Sequence, residues 1–399
     1  MDTTLQQQLD QIPLDVTISR TKEYQNDPYR ANTFIIHTKE PFNAETPSKL
    51  LIQYPLTPDK LFYHRNHSPI PNLSDKNYTV SIQGEVKTSG KITLEEIKRL
   101  PKRTVEAMLM CTGNRRSEFA KYKKAAGLPW LGGSIGNAVW GGTSLRNLLE
   151  RFCPKDSCLH VEFIGGDQEN DNHKYNTSIP ITKALDLDVI LCYEMNGKDL
   201  SRDHGFPLRV IVPGYSGARM VKWLSAIEFR VNESQSQYQQ LDYKLFKPTL
   251  ELAKVTKKDW YEADAIKEVN INSYICNVYD GDIVSLPLVV KGYAYSSGNK
   301  IWRIDFSFDG GKTWYDANIL NLKKGDSNQR YYGWSLWEYK IEPEKVKGSK
   351  LELCVRAWDS ALNTQPLDIE SVWNFRGFMN NVVHRVNVTT SIPEIRSKF

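Results

Sequence analysis

The sequence is short of long apolar runs. None approaches the roughly 20 residues a helix needs to cross a bilayer, so no membrane partner is expected. Charge of one sign is also scarce. Lysine and arginine number 52 against 47 aspartates and glutamates, a net +5. That is too mild to call for nucleic acid, although positive charge around a small anion stays open. There is no tandem repeat, no low-complexity tract and no Gly-rich phosphate loop. The regular strand–helix rhythm of a doubly wound fold is missing too. Cysteine is sparse: Cys111, Cys153, Cys158, Cys192, Cys276 and Cys354 form no Cys-x-x-Cys pair and lack the density of a secreted disulfide scaffold. A reducing compartment fits that usage, and it argues against a Cys276–Cys354 disulfide. Cys153 and Cys158 have no His or third Cys nearby to complete a metal site. The opening residues read as neither a signal peptide nor an Arg-rich transit sequence.

What is present is enough for two or three domains with real cores. Residues 1–40 are polar and weakly patterned and read as an arm. Residues 80–86 alternate as a strand, and Thr93-Leu94-Glu95-Glu96 is a capping box opening a helix that Pro101 stops. Leu145, Leu148, Leu149 and Phe152 recur at helical spacing, and residues 159–164 read as a strand. This mixture is α+β. Composition turns polar from Val231, placing a junction around 245–265. Beyond it the pattern is all-β: residues 289–295 and 301–308 alternate, Asp309-Gly310-Gly311-Lys312 makes a tight turn, and residues 331–341 and 351–358 follow. That spacing suggests an immunoglobulin-like sandwich.

Chemistry concentrates at Cys111-Thr112-Gly113-Asn114-Arg115-Arg116, just after an apolar strand over 105–110. Guanidinium groups four and five residues from a thiol favour the thiolate, the form that ligates metal or attacks as a nucleophile. Phe62-Tyr63-His64-Arg65-Asn66-His67-Ser68-Pro69 places two imidazoles and one guanidinium on a Pro-stiffened extended run, suited to an anion site. Residues 202–223 form a strand, 210–212, flanked by loops that carry His204, Arg209, Arg219 and Lys222. Such a set could cradle a phosphate-bearing cofactor.

The first of these stretches resembles the molybdenum-binding signature of the sulfite oxidase family, usually Cys-Ala-Gly-Asn-Arg-Arg. Gly127-Leu128-Pro129-Trp130, Ile135-Gly136-Asn137-Ala138-Val139-Trp140, Asp203-His204-Gly205-Phe206-Pro207 and Trp373-Asn374-Phe375-Arg376-Gly377 also look like that family, in the same order. The likeness runs from about Lys39 to about Arg385 and is nearest the plant-type, haem-free members. It implies a molybdopterin domain over 41–250 and an immunoglobulin-like dimerisation domain over 251–393, with a tail at 394–399. One molybdenum–molybdopterin group per subunit is implied, with no haem. Cys111 would ligate the metal, and Arg65, Arg116 and Arg376 would hold the substrate anion. Trp130 and Tyr243 would shape the pocket, while His67, Asp167, His204, Arg209, Arg219 and Lys222 would hold the pterin. The implied reaction is oxidation of sulfite to sulfate in a homodimer, with electrons passing to dioxygen or to an external cytochrome. A nitrate-reducing enzyme and a non-catalytic scaffold of the same fold are the alternatives. Arg376 favours sulfite, because nitrate enzymes tend to carry Met there. Ala126, where sulfite enzymes are often basic, runs the other way unless Lys123 or Lys124 supplies the charge. The terminal Ser397-Lys398-Phe399 resembles the peroxisomal Ser-Lys-Leu signal, making the peroxisome the expected location and the cytosol the alternative.

Overall fold

The computed structural model describes residues 3–167, 173–321 and 330–391; the 394–399 tail and its terminal tripeptide lie outside them. The chain forms two compact units. The first comprises Met1–Pro47, Leu56–Val269 and Trp373–Asn380, and the second Ser48–Pro55, Asn270–Val372 and Asn381–Phe399. The division therefore does not follow a single cut. Residues 251–269, expected in the second domain, belong to the first unit, where Ser216 N–H donates to Lys267 O at 2.8 Å and Val269 N–H to Gly214 O at 2.9 Å.

The first unit carries two five-stranded sheets. In one, Lys102–Met110 pairs along its whole length with Ile135–Ser144, which pairs in turn with Ile190–Met195, itself flanked by Arg209–Ile211. This sheet positions the site, because the chain leaves it at Met110 straight into Cys111. Ile135–Ser144 is almost wholly buried, so it carries no two-residue alternation to betray it. It is also rich in glycine for a reason: a Cβ on Gly142 would sit 2.1 Å from Leu191 O on the neighbouring strand. The other sheet runs Asn176–Pro180, His160–Ile164, Ala226–Arg230, Thr79–Gly84, Gly90–Thr93. The Thr93 capping box forms as its sequence dictates, with Glu96 N–H donating to Thr93 Oγ1 and Thr93 N–H to Glu96 Oε2. Leu145–Phe152 buries the four apolar residues whose spacing marked it.

From Thr3 on, the N-terminal forty residues carry structure of their own. Leu14–Asp15 pairs with Arg30–Ala31, and Ala31, Phe34, Phe42 and Ala44 form a small core against Ile12 and Ile18. These apolar residues are too irregularly spaced for either period, which is why the sequence alone reads as polar coil.

The second unit is a sandwich of two sheets. One runs Asn272–Ile275, Leu288–Tyr295, Ser335–Ile341, Asn318–Ile319; the other runs Ile283–Val284, His384–Thr390, Lys350–Asp359, Ile301–Ser307, Tyr315–Asp316. Val290, Ile304, Phe306, Trp337, Leu353 and Val355 fill the space between them. Gly310 and Gly311 both adopt positive φ in the turn after Ile301–Ser307, as that turn requires. All six cysteines are free.

Candidate active site

A cavity of about 700 Å³, counting its open mouth, is lined within the first unit by Arg65, His67, Cys111, Asp167, His204, Arg209, Lys222 and Tyr243, together with Tyr63, Asn66, Tyr175 and Met220. Eight of the twelve residues expected to serve the site therefore share one wall. Cys111 is fixed by its backbone: its N–H donates to Ser134 O at 2.9 Å, and its carbonyl accepts from Asn114 N–H at 2.9 Å. Without a metal the thiolate is not favoured. Burial pushes the thiol up, and Arg65 and Arg116 only partly oppose it. The expected pull of a neighbouring guanidinium toward the thiolate is present in Arg116, but burial outweighs it; a bound metal cation is what a buried thiolate needs.

Arg65 and Arg116 lie close enough to the thiol to act on it, and Arg376 lies close to both. Arg65 Nη2 contacts His67 Nε2 at 2.8 Å, and His67 also meets the Tyr243 hydroxyl at 3.3 Å. Arg116 donates through Nε to Arg376 O at 3.0 Å and through Nη1 to Leu128 O at 2.9 Å. Arg376 pairs with Asp242, and its buried Nε has no protein partner. Burial and the neighbouring Arg116 and Arg65 bring the Arg376 guanidinium down to about 10. Phe378 links the cluster: Arg116 and Arg376 each lie 5.0 Å from its ring centre, and Tyr243 stacks on it at 5.4 Å. Sequence reasoning missed Phe378, although it directly follows the Arg376-Gly377 pair.

A second neighbourhood gathers around Lys222, whose Nζ donates to Asp203 O at 3.0 Å and to Asn66 Oδ1 at 2.5 Å. Burial, then the nearby Arg209, lowers it to about 7. Arg209 donates through Nη1 to His204 O at 2.8 Å, while its buried Nε has no protein partner. His204 contacts Asp59 O at 3.2 Å, stacks on His64, and is lowered by burial to about 4. His67 stacks on Tyr175 at 4.9 Å, another residue without a sequence signal. The wall thus offers a thiol, neutral imidazoles, cations with unspent donors and the acidic Asp167. That donor set fits a group with a thiol-seeking metal and a polar, anionic body.

Four expected residues do not line the cavity. Arg219 is a clamp: Nε donates to Ile266 O at 2.7 Å, Nη2 to Tyr243 O at 3.3 Å, and Nη1 to Thr177 and Gln239. Its guanidinium serves the protein, which corrects its assignment to the cofactor. Trp130 is fully buried against His37, and a Cβ on Gly113 would lie 3.0 Å from its ring, so it backs the Cys111 turn without reaching the pocket. Arg116 and Arg376 meet at Phe378, within electrostatic reach of the cavity-lining Arg65. Lys123 does not replace the charge missing at Ala126, because it pairs with Glu251 and lies over Trp373.

Comparison with known proteins identifies the chain's relatives. Residues 67–238 match the oxidoreductase molybdopterin binding domain family, and residues 263–391 the Mo-co oxidoreductase dimerisation domain family. The chain is 40% identical to the sulfite oxidase of Arabidopsis thaliana over 91% of this chain and 96% of that protein. It is 43% identical to the mitochondrial sulfite oxidase of Drosophila melanogaster over 92% of this chain, and spans 65% of that protein's length. The NADH nitrate reductase 1 of Phaseolus vulgaris is 37% identical, with the match covering 42% of its length. The sulfane dehydrogenase SoxCD from Paracoccus pantotrophus shares the fold, with a TM-score of 0.73 at 23% identity over 96% of this chain and 92% of that one. The chain is a member of the sulfite oxidase family of molybdopterin oxidoreductases.

Proposed function

We propose that this protein oxidises sulfite to sulfate on a molybdenum–pterin group held by Cys111. The carrying observation is that Arg65 and Tyr243 share the cavity with a buried thiol on which Arg65 and Arg116 act, and that Arg376 stands close to both arginines. When bound, the group supplies a two-electron oxygen-atom transfer, which no side chain can perform. The chain's own residues do the rest. His67, His204, Arg209, Lys222 and Asp167 hold the body of the cofactor, the first four already oriented by a second protein contact. Arg65, Arg116 and Arg376 bind the sulfite dianion by charge-assisted hydrogen bonds, and Tyr243 donates from its hydroxyl. Arg376 offers its unpartnered Nε to the substrate while Asp242 holds Nη2. Burial of the cluster strengthens each of these contacts and excludes competing water. The second unit is a dimerisation domain, and the working protein is read as a homodimer. Dioxygen is the proposed electron acceptor, with an external cytochrome as the alternative that stopped-flow reoxidation separates.

Replacing Cys111 with Ser tests the assignment: turnover with sulfite should fall nearly to nothing while the thermal melt stays close to wild type. Near-normal activity in a variant loaded with cofactor would remove Cys111 from the reaction. Nitrate is the second reading. Wild-type enzyme that reduced nitrate with an artificial donor faster than it oxidised sulfite would replace the first.

A further inference from the structure

We infer that Arg30, on the N-terminal segment, is a positioning residue for the cofactor: it braces Asp203 from behind while the cavity holds the pterin in front. This rests on the molybdenum–pterin reading. Arg30 lies outside residues 67–238, the stretch that matches the molybdopterin-binding family, and nothing in its sequence surroundings marks it.

The geometry is a buried fork. Arg30 Nη2 donates to Asp203 Oδ1 at 2.7 Å, and Nε reaches both carboxylate oxygens at 3.1 Å. Asp27 takes a further Nη2 contact at 3.1 Å and is itself anchored by Ile70 N–H at 2.9 Å. The guanidinium lies 4.3 Å from the centre of the Phe42 ring. Both charged side chains are over nine-tenths buried, so removing the arginine would leave a buried carboxylate without its fork, with His64 3.6 Å away and the nearby Lys222 as its remaining partners. That carboxylate belongs to the turn which presents His204 to the cavity. The same turn is held on its cavity side by Lys222 on Asp203 O and by Arg209 on His204 O. A second lacing runs parallel: Arg202 donates to Asn26 O at 3.0 Å and to Ile70 O at 3.2 Å, and Trp223 Nε1 donates to Arg202 O at 2.8 Å. Two cavity-lining cations thus depend on one turn, and one N-terminal side chain sets where that turn sits.

The test follows cofactor release from holoenzyme. Arg30→Met keeps the apolar stem and removes the fork. Arg20→Ala is the control: Arg20 holds the same loop, donating to Pro28 O at 2.9 Å and to Asp27 O, without touching Asp203. After dilution into buffer, pterin fluorescence and molybdenum retained on gel filtration should show at least about tenfold faster release from Arg30→Met, with Arg20→Ala at the wild-type rate. Imidazole NMR signals of His64 and His204 should shift in Arg30→Met and stay in place in Arg20→Ala. Should Arg30→Met not fold, Arg30→Lys keeps the charge without the fork and should also release faster than wild type. Wild-type release from the folded Arg30 variant, or equal release from the Arg20 variant, overturns the inference. Wild-type protein that carries no molybdenum or pterin from a competent host overturns the cofactor reading beneath it.

Discussion

Arg116 reaches the proposed substrate cluster through a slot whose walls are glycine. A Cβ on Gly113 would meet its Nη2 at 2.7 Å, one on Gly127 its Nη1 at 2.6 Å, and one on Gly377 its Cγ at 2.5 Å; Gly127 and Gly377 also hold positive φ. Gly377→Ala should therefore displace the guanidinium and raise the Michaelis constant for sulfite by about tenfold, the scale of one charge-assisted hydrogen bond; molybdenum content, measured alongside, should not change. Arg376→Met should raise it by at least about the same factor, and steady-state kinetics at fixed salt reads both. Residues of this kind were legible to different degrees. Cys111 and Arg116 stand out because thiol, glycine and guanidinium crowd one short stretch. The clamp role of Arg219 could not be read, since Thr177, Gln239 and Ile266 come to it only in three dimensions, and a buried arginine looks alike in sequence whether it feeds a cofactor or a backbone. Phe378 was hidden for the same reason: an aromatic after a glycine declares packing long before it declares a shared platform for two cations.

Elements with a local rule were readable and those with a tertiary reason were not. The Thr93 capping box needs only Thr and Glu three residues apart, and Leu145–Phe152 needs only its apolar stripe. Thr93→Ala should cost about 1 kcal/mol of stability, seen as a lower midpoint in urea, with the sulfite Michaelis constant unchanged because this helix does not line the cavity. Ile135–Ser144 obeys another logic. Its glycines exist to let neighbouring backbones approach, so it lacks the alternation that marks a half-buried strand, and only its partners explain it. The N-terminal pairing of Leu14–Asp15 with Arg30–Ala31 is shorter still, and two residues per strand leave no period to read.

At the scale of the molecule, the cavity concentrates buried cations that oppose one another until an anionic cofactor arrives. Lys222 faces Arg209, Asp203, Asp167 and Arg30, and titrates near 7 in the folded protein against 10.5 when free. Between those values the unfolded chain binds the extra proton, so cofactor-free protein should gain thermal stability as pH rises from about 7 toward 10.5. Lys222→Met should flatten that gain, and a wild-type slope retained in the variant would assign it elsewhere. The fold also has a consequence for how the protein is made. Trp373–Asn380 packs into the first unit, although the stretches on both sides of it belong to the second. A ribosome that has finished residue 269 has made nearly all of the first unit but neither Arg376 nor Phe378. The proposed anion site must then stay incomplete through about a hundred further residues, on the order of 5–20 s of synthesis at typical elongation rates, so a nascent chain cannot complete that site before Asn270–Val372, the larger part of the second unit, has been made.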